Sequence, residues 1–494
     1  MRRVRKFNQV KQVKQAVFYC GGLGTRLGNI TKKTPKPLIR INRKPFIEHL
    51  VKNFSRFGIK NILLLCSYKY KFFFKNYHNK TLNGITIKCV NEGAPKGTAG
   101  SLWQVKNKLD NHFLLCNGDT YFDINILELI NIHKKSSIFN MALTVSDDNR
   151  YGGVKLKKKK IEILNSKKNK ISSRLVNGGI YYVRKELLNH INKNNFSIEK
   201  EILPNLAKKN KIQGKKFTNK FLDIGVKKDL KKCSKFLKLV QKKPALFLDR
   251  DGVINKDLGY VHKYKNFIWL KDIKKIIKFA NDNNYYVFVL TNQSGIGRGY
   301  YTKKDVDILH EKVNEELIKI GAHIDEFFCA PYFKDSKIYK FTKKDFLMRK
   351  PNIGMMLECK KKWDININKS ILIGDQENDI LLAKKENERF CKFAEKILGK
   401  KIFIGDLFLK LFKNDKKRIK KEYVEVISSI IKSNEKFKNS LDRNSQLAAA
   451  NICLAEYNSK IDKNLSEKQF LNANNHIVMM QRSPIYARQK MYIN

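Results

Sequence analysis

The chain has 494 residues, enough for about three domains at roughly 150 residues each. Its 42% hydrophobic and 11% aromatic content can fill packed cores and excludes a disordered polar chain. The charge is one-sided, with 102 Lys and Arg against 45 Asp and Glu and a net of +57. Those lysines run through every segment beside Asn and Ile rather than forming one block. They read as solvated faces, and no specific nucleic-acid partner is expected. No apolar run approaches the ~18 residues of a membrane span, so no membrane partner is expected either. Residues 1–14 are basic, without a following apolar signal core, and read as a solvated extension. Nine cysteines, an odd number with no CxxC pair, fit reduced thiols in a cytoplasmic protein.

As far as about residue 400, short apolar runs alternate with amphipathic stretches, the pattern of parallel sheets crossed by helices. The expected fold class is α/β, with two Rossmann-like three-layer domains and then a helical C-terminal tail. Predicted strands at Ala16–Cys20, Asn61–Ser67 and His112–Cys116 belong to a first domain, residues 15–238. The lysine-rich stretch Lys231–Lys243 ends at Pro244. A second series, Ala245–Leu248, Tyr285–Leu290 and Ser370–Ile373, then builds a domain over 239–400. From residue 401 to 494 the periodicity is helical, notably at Glu422–Lys432 and Leu441–Tyr457. The small run Ala448-Ala449-Ala450 suits close helix packing, so a homo-oligomerising tail and the remnant of a third domain both stay open. His476, Met479 and Met480 read as packing or solvent residues.

Strand Ala16–Cys20 runs into Gly21-Gly22-Leu23-Gly24-Thr25-Arg26-Leu27. Glycines after a parallel strand let backbone N–H groups wrap phosphate oxygens, although a plain tight turn uses them too. No Gly-Lys-Ser/Thr follows, so this is not a Walker loop. Thr34-Pro35-Lys36-Pro37-Leu38 then holds one lysine between two prolines in a stiff segment. Together these resemble the sugar-1-phosphate nucleotidyltransferases, whose signature reads GGxGTRL followed by PKPL. The resemblance covers about residues 14–238. It takes in Glu92 with Gly97-Thr98-Ala99-Gly100, Asn117-Gly118-Asp119, Asn177-Gly178-Gly179-Ile180-Tyr181, Glu199, and Phe221-Leu222-Asp223-Ile224-Gly225.

That family joins a sugar 1-phosphate to the α-phosphorus of a nucleoside triphosphate and releases pyrophosphate. The resemblance implies that Gly21, Gly22, Gly24 and Thr25 wrap the nucleotide, and that Arg26 and Lys36 hold its phosphates. Glu92, Gly97, Thr98, Asn177, Gly178 and Glu199 would bind base and sugar. Asp119 and Asp223 would hold Mg²⁺, a hard ion suited to carboxylate and phosphate oxygens. Two departures stand out. Cys20 replaces a small residue, and the family's Glu-Lys-Pro segment is missing before Asn177, with Lys167 as a candidate substitute.

The second series opens with Ala245-Leu246-Phe247-Leu248, ending in Asp249-Arg250-Asp251-Gly252-Val253-Ile254-Asn255. Two carboxylates two residues apart at a strand end can face one ligand. Thr291-Asn292-Gln293-Ser294-Gly295, Arg349-Lys350-Pro351, and Gly374-Asp375 with Asp379 follow in order. These four motifs are similar to those of the haloacid-dehalogenase-like phosphatases. The resemblance makes Asp249 the nucleophile that forms an aspartyl-phosphate and Asp251 the general acid and base. Thr291 and Lys350 would hold the phosphoryl group. Mg²⁺ would sit on Asp249, the Asp251 carbonyl and Asp375, with Asp379 supporting.

Only 39 residues separate Asp251 from Thr291, and 58 separate Thr291 from Lys350, so neither gap holds a cap domain. Among capless members the motifs most resemble the heptose-bisphosphate 7-phosphatases and the related histidinol-phosphatases. Asn292, Arg298 and Arg349 would then touch the substrate. Those relatives carry a Cys/His zinc loop, whereas Cys329–Met348 has one cysteine and no histidine, so no zinc is expected. Packing by Tyr332, Phe333, Tyr339 and Phe341 is expected to order that loop instead.

The two resemblances fit consecutive steps. Removing the 7-phosphate of a heptose 1,7-bisphosphate leaves a heptose 1-phosphate, the substrate type of the other domain. The transferase half looks most like guanylyltransferases of D-glycero-α-D-manno-heptose 1-phosphate, which implies GTP, sugar phosphates and a GDP-heptose product for surface polysaccharide. One competing expectation keeps both folds but pairs mannose or glucose 1-phosphate transfer with a phosphatase of other specificity. Another is a basic nucleic-acid-binding or scaffold protein with decayed sites; the presence of Arg26, Lys36, Asp119, Asp223, Asp249, Asp251, Lys350 and Asp375 together speaks against it.

Overall fold

Alternate residues of three apolar strands feed two separate cores, and this makes the first domain three layers thick. The strands are β1 (Gln15–Tyr19), β2 (Asn61–Cys66) and, beyond β3 (Ile85–Asn91), β4 (His112–Asn117). Phe18, Leu64 and Leu114 pack on one side of the sheet, whereas Val17, Leu65 and Leu115 pack on the other. In this computed structural model the described residues are 12–386, apart from 95, 133–135, 147, 149–152, 158–159, 164–174, 193–196 and 343–345. The expectations for Lys167, for the extension before residue 12 and for everything after 386 lie outside them.

β1 to β4 run parallel in the order β4-β1-β2-β3. Beyond β4 the sheet becomes mixed: β5 (Phe139–Val145), β6 (Leu175–Arg184) and β7 (Ile212–Lys216) continue it, with β6 antiparallel to both β4 and β5. Three shorter strands at the margins bring the total to ten. The sheet direction of travel reverses at β1, so the loops after β1 and β4 diverge and open a crevice at the carboxyl edge.

Helices α1 (Phe46–Ser55) and α3 (Lys227–Gln241), with α2 (Gly97–Gln104) between them in sequence, cover this sheet. In α3, Cys233, Leu237 and Val240 recur at helical spacing and face the core, while the lysines point out. The lysine-rich stretch is thus an amphipathic helix. It runs through position 238 and ends at Gln241.

The second sheet is fully parallel: β8 (Ala245–Leu248), β9 (Tyr286–Asn292), β10 (Glu326–Ala330) and β11 (Ile371–Ile373), in the order β10-β9-β8-β11. The crossovers carry α4 (Ile273–Asp282), α5 (Lys303–Ile318) and α6 (Gly354–Lys362); α7 (Glu377–Glu386) follows β11. A capping box of Thr302 and Asp305 starts α5. Neither the β8–β9 nor the β9–β10 connection holds a separate cap domain.

Both sheets lie in one compact unit, and buried charges join them. Arg56, at the end of α1, donates from Nε to Asp325 Oδ1 at 2.6 Å, and its guanidinium lies 4.8 Å from the Tyr286 ring centre. Lys243 pairs with Asp123, and Asn125 Nδ2 donates to Asp282 Oδ1 at 3.0 Å and to the Gly321 carbonyl at 2.9 Å. Burial alone would raise the Asp325 carboxyl, but Arg56 and His323 hold it below the ordinary carboxylate range. The second-domain partners sit at or just before the amino ends of the strands: Lys243 before β8, Asp282 at the end of α4 that leads into β9, Tyr286 at the start of β9, Asp325 before β10. The carboxyl edge of that sheet therefore faces away from the first domain.

Removing one member of a buried pair strands the other charge. Asp325→Asn should cost about 3–5 kcal/mol in urea denaturation at neutral pH. Because the folded-state pKa is depressed, Asp325 contributes fully above about pH 4 and loses its contribution below it, so the gap between wild type and variant should narrow in acid. A gap that stays constant from pH 7 to pH 3 would contradict this reading.

Candidate active sites

In the first domain, strand pairing places the two expected metal aspartates side by side. Thr120–Phe122 and Phe221–Asp223 form an antiparallel pair in which Asp223 sits opposite Thr120, and Ile224 N donates to the Asp119 carbonyl at 3.0 Å. Asp119 and Asp223 thus come from segments a hundred residues apart and share one point. Lys36 occupies it: its ammonium contacts Asp119 Oδ2 and lies 3.5 Å from Asp223 Oδ1. The lysine starts a short 3-10 turn, Lys36–Leu38, whose Pro37 and Leu38 are buried, so it projects from a fixed base.

The glycine loop passes over the carboxyl end of β1. Gly21 accepts from Ser67 Oγ at 2.7 Å, and Gly22 is open to solvent. Thr25 and Arg26 are exposed on a single turn, Thr25–Leu27, preceded by Gly24 in the left-handed conformation. Glu92 is buried at the end of β3, and burial raises its carboxyl. Gly97 begins α2, and Thr98 Oγ1 donates to Glu199 Oε2 at 2.8 Å while accepting from Ile198 N at 2.9 Å. Asn177 donates to Tyr181 Oη at 2.6 Å and accepts from Gly179 N at 2.9 Å, beside a β-bulge that also contains Gly178. The structure brings Lys36, Asp119 and Asp223 together and ties Thr98 to Glu199. Arg26 stands apart on the surface.

In the second domain the sites converge at the carboxyl ends of β8, β9 and β11. Asp249 N donates to the Ile373 carbonyl at 2.9 Å, which locks the nucleophile position into the sheet. Lys350 Nζ lies 2.8 Å from Asp249 Oδ2 and 2.7 Å from Asp379 Oδ1. Burial alone would lower this ammonium, but the two carboxylates hold it above its ordinary range. Burial pushes Asp249 up to about 6 against the pull of Lys350. Asn292 lines the cleft and also brackets the lysine's backbone: its Oδ1 accepts from Lys350 N at 3.0 Å and its Nδ2 donates to Lys350 O at 3.1 Å.

Carboxylate oxygens of Asp249, Asp375 and Asp379 lie within 4.8 Å of one another, a hard-oxygen set that fits a divalent metal ion. Two glycines make room for it. A Cβ at Gly252 would stand 2.0 Å from Asp375 Oδ2, and one at Gly374 would stand 2.2 Å from Asp379 Cγ. Asp251 turns its carboxylate elsewhere. Arg250, almost fully buried, donates from Nη2 to Asp251 Oδ1 at 2.9 Å and to Oδ2 at 2.7 Å, and Asn255 Nδ2 donates to Oδ1 at 2.9 Å. Gln293 Nε2 reaches both Asp251 Oδ2 and Thr291 Oγ1 at 2.8 Å.

Arg250 and Gln293 are site residues that the motif reading missed. Both stand inside the motifs, and a guanidinium between two carboxylates was the available signal. Arg298 and Arg349 come close enough for Arg298 to lower Arg349, after burial. The Arg298 guanidinium lies 3.7 Å from the Phe333 ring centre, and Arg349 donates to the Tyr332 carbonyl at 3.0 Å. Tyr332 and Phe341 pack edge to face, but Tyr339 is 91% exposed, so it does not order the loop as expected. The short turn Tyr339–Phe341 sends one ring inward and the other into solvent.

Residues 15–239 match the family model described as Nucleotidyl transferase, and residues 247–404 match that described as Polynucleotide kinase 3 phosphatase. The D-glycero-alpha-D-manno-heptose 1-phosphate guanylyltransferase of Campylobacter jejuni subsp. jejuni is 38% identical over 44% of this chain and 96% of its own length. A D-glycero-alpha-D-manno-heptose-1,7-bisphosphate 7-phosphatase of Photorhabdus laumondii is 39% identical over 29% of this chain and 79% of its own. A beta-anomer 7-phosphatase of Rhodopseudomonas palustris is 38% identical over the same shares. Fold and sites thus define a bifunctional phosphorus-chemistry enzyme, a nucleotidyltransferase joined to a phosphatase. The chain belongs to the nucleotidyl transferase family through its first domain and to the haloacid-dehalogenase-like phosphatases through its second. No helix among the described residues is long and apolar enough to cross a membrane.

Lys350→Met removes the cation from between two buried carboxylates. Its kcat for phosphate release should fall by about 10²–10³ while nucleotidyl transfer by the same protein is unchanged. Equal loss of both activities would mark Lys350 as a folding residue instead.

Proposed function

We propose that the chain makes GDP-heptose in two steps. The phosphatase domain removes the 7-phosphate of D-glycero-α-D-manno-heptose 1,7-bisphosphate. The transferase domain then joins the resulting 1-phosphate to the guanylyl group of GTP and releases pyrophosphate. The observation that carries the reading is that relatives of the two halves act, by their names, on a heptose 1,7-bisphosphate and a heptose 1-phosphate. Relatives of the phosphatase half include both anomers, so the choice of α rests on the transferase half.

In the first step Asp249 attacks phosphorus while Asp251 protonates the departing sugar oxygen, and Asp251 then deprotonates the water that opens the aspartyl-phosphate. Thr291 and Lys350 hold the phosphoryl oxygens. In the second step Arg26 and Lys36 bind the triphosphate, and the sugar phosphate oxygen displaces pyrophosphate. Mg²⁺ is the ion we assign to Asp249, Asp375 and the Asp251 carbonyl, and to Asp119 and Asp223, where it would displace the Lys36 ammonium toward the triphosphate; when bound it would neutralise phosphate charge. The domain boundaries at 15–238 and 239–400, the cytoplasmic setting and the lack of a nucleic-acid partner belong to the same proposal. Because the phosphatase mouth faces away from the transferase, the heptose 1-phosphate crosses solvent between the steps.

The test supplies heptose 1,7-bisphosphate, GTP and Mg²⁺ and follows products by mass spectrometry. Wild type should form GDP-heptose, Asp223→Asn should stop at heptose 1-phosphate, and Asp249→Asn should leave the bisphosphate intact. Mixing the two variants should restore GDP-heptose. Preference for mannose or glucose 1-phosphate would refute the sugar assignment, and an inactive mixture would refute transfer through solvent.

A further inference from the structure

An unused aromatic pair stands at the phosphatase mouth. Tyr260 lines the cleft of about 460 Å³ that also contains Asp249, Asp251, Thr291 and Lys350. It is 46% exposed and packs edge to face on Tyr300, itself 55% exposed, with ring centres 4.9 Å apart. Its backbone is left-handed, with φ 51°. A bulky side chain held there is strained, and such strain gathers at ligand sites. No packing requirement explains leaving two large rings in solvent beside a catalytic cleft.

The segment carrying Tyr260 is tied from two directions to Asp251, the expected proton donor. Arg250 Nη2, which grips the Asp251 carboxylate, also donates to the Val261 carbonyl at 2.6 Å. On the other flank His262 stacks on Tyr301 at 4.6 Å, and Tyr301 Oη donates to Gln293 Oε1 at 2.8 Å. Gln293 in turn donates to Asp251 Oδ2. The backbone next to Tyr260 therefore holds a set position relative to the group that must protonate the leaving oxygen. Whatever lies on the far side of that oxygen from phosphorus is the organic part of the substrate.

We propose that Tyr260, backed by Tyr300, is a stacking platform for the sugar leaving group, and that it supplies selectivity in a phosphatase without a cap. An aromatic face suits the C–H face of a sugar ring, which is apolar although its rim is hydroxylated. The inference deepens the phosphatase half of the proposed function and rests on that reading.

The experiment compares kcat/KM for heptose 1,7-bisphosphate, fructose 1,6-bisphosphate, glucose 6-phosphate and acetyl phosphate, the last of which has no ring. Tyr260→Asn removes the ring but tolerates the left-handed backbone, and Tyr260→Phe keeps the ring. In Tyr260→Asn the preference for heptose bisphosphate over acetyl phosphate should fall about tenfold, and Tyr260→Phe should retain it. If wild type prefers another sugar phosphate and Tyr260→Asn loses that preference, the platform stands and the heptose assignment falls. A preference that survives in Tyr260→Asn overturns the platform alone. A wild type with no preference for any sugar ester overturns both.

Discussion

Two carboxylates about 4 Å apart repel by about 4 kcal/mol at an effective dielectric of 20, and phosphoryl chemistry brings further negative charge to them. Each half of this chain meets that constraint with one lysine between two aspartates: Lys36 between Asp119 and Asp223, and Lys350 between Asp249 and Asp379. An ammonium is a compact point charge with three donors, so it can serve both partners at once. The surroundings exist to aim it. Prolines flank Lys36, and the Asn292 amide holds the Lys350 backbone on both sides. The sheets supply the rest for Asp119, Asp223 and Asp249, which start from strand ends fixed by main-chain pairing, while Asp379 stands in the first turn of α7.

The second constraint is the join between the domains. It uses the amino ends of the phosphatase strands and buried ion pairs, which leaves the catalytic edge of that sheet open to solvent. The fusion keeps the two activities in equal amounts and near one another, an effect of local concentration rather than of direct transfer. Buried pairs of this kind are costly to break, so the orientation is expected to be fixed rather than hinged.

Most of the fold was legible because its strands are apolar runs bounded by glycine loops. The expected Ala245–Leu248 matches the observed strand, and Ala16–Cys20 differs by one residue from Gln15–Tyr19. Motif residues were legible where their chemistry admits few alternatives, as at Asp249, Asp251 and Lys350. The partners were not. Nothing local in the sequence says that Asn292 braces Lys350, that Gln293 links Thr291 to Asp251, or that Arg250 turns back onto its neighbour. Those bonds depend on side-chain directions set by tertiary packing. Tyr339 shows the converse: an aromatic residue in a loop suggests packing, but a single turn decides which ring goes inward.

Dephosphorylation at one edge precedes nucleotidyl transfer at another. Time-resolved ³¹P NMR of the wild-type enzyme with heptose 1,7-bisphosphate, GTP and Mg²⁺ tests this order directly. Inorganic phosphate and heptose 1-phosphate should appear first, and the diphosphate signals of the nucleotide sugar should grow as the 1-phosphate declines. Early accumulation of a nucleotide sugar still carrying its 7-phosphate would contradict that order.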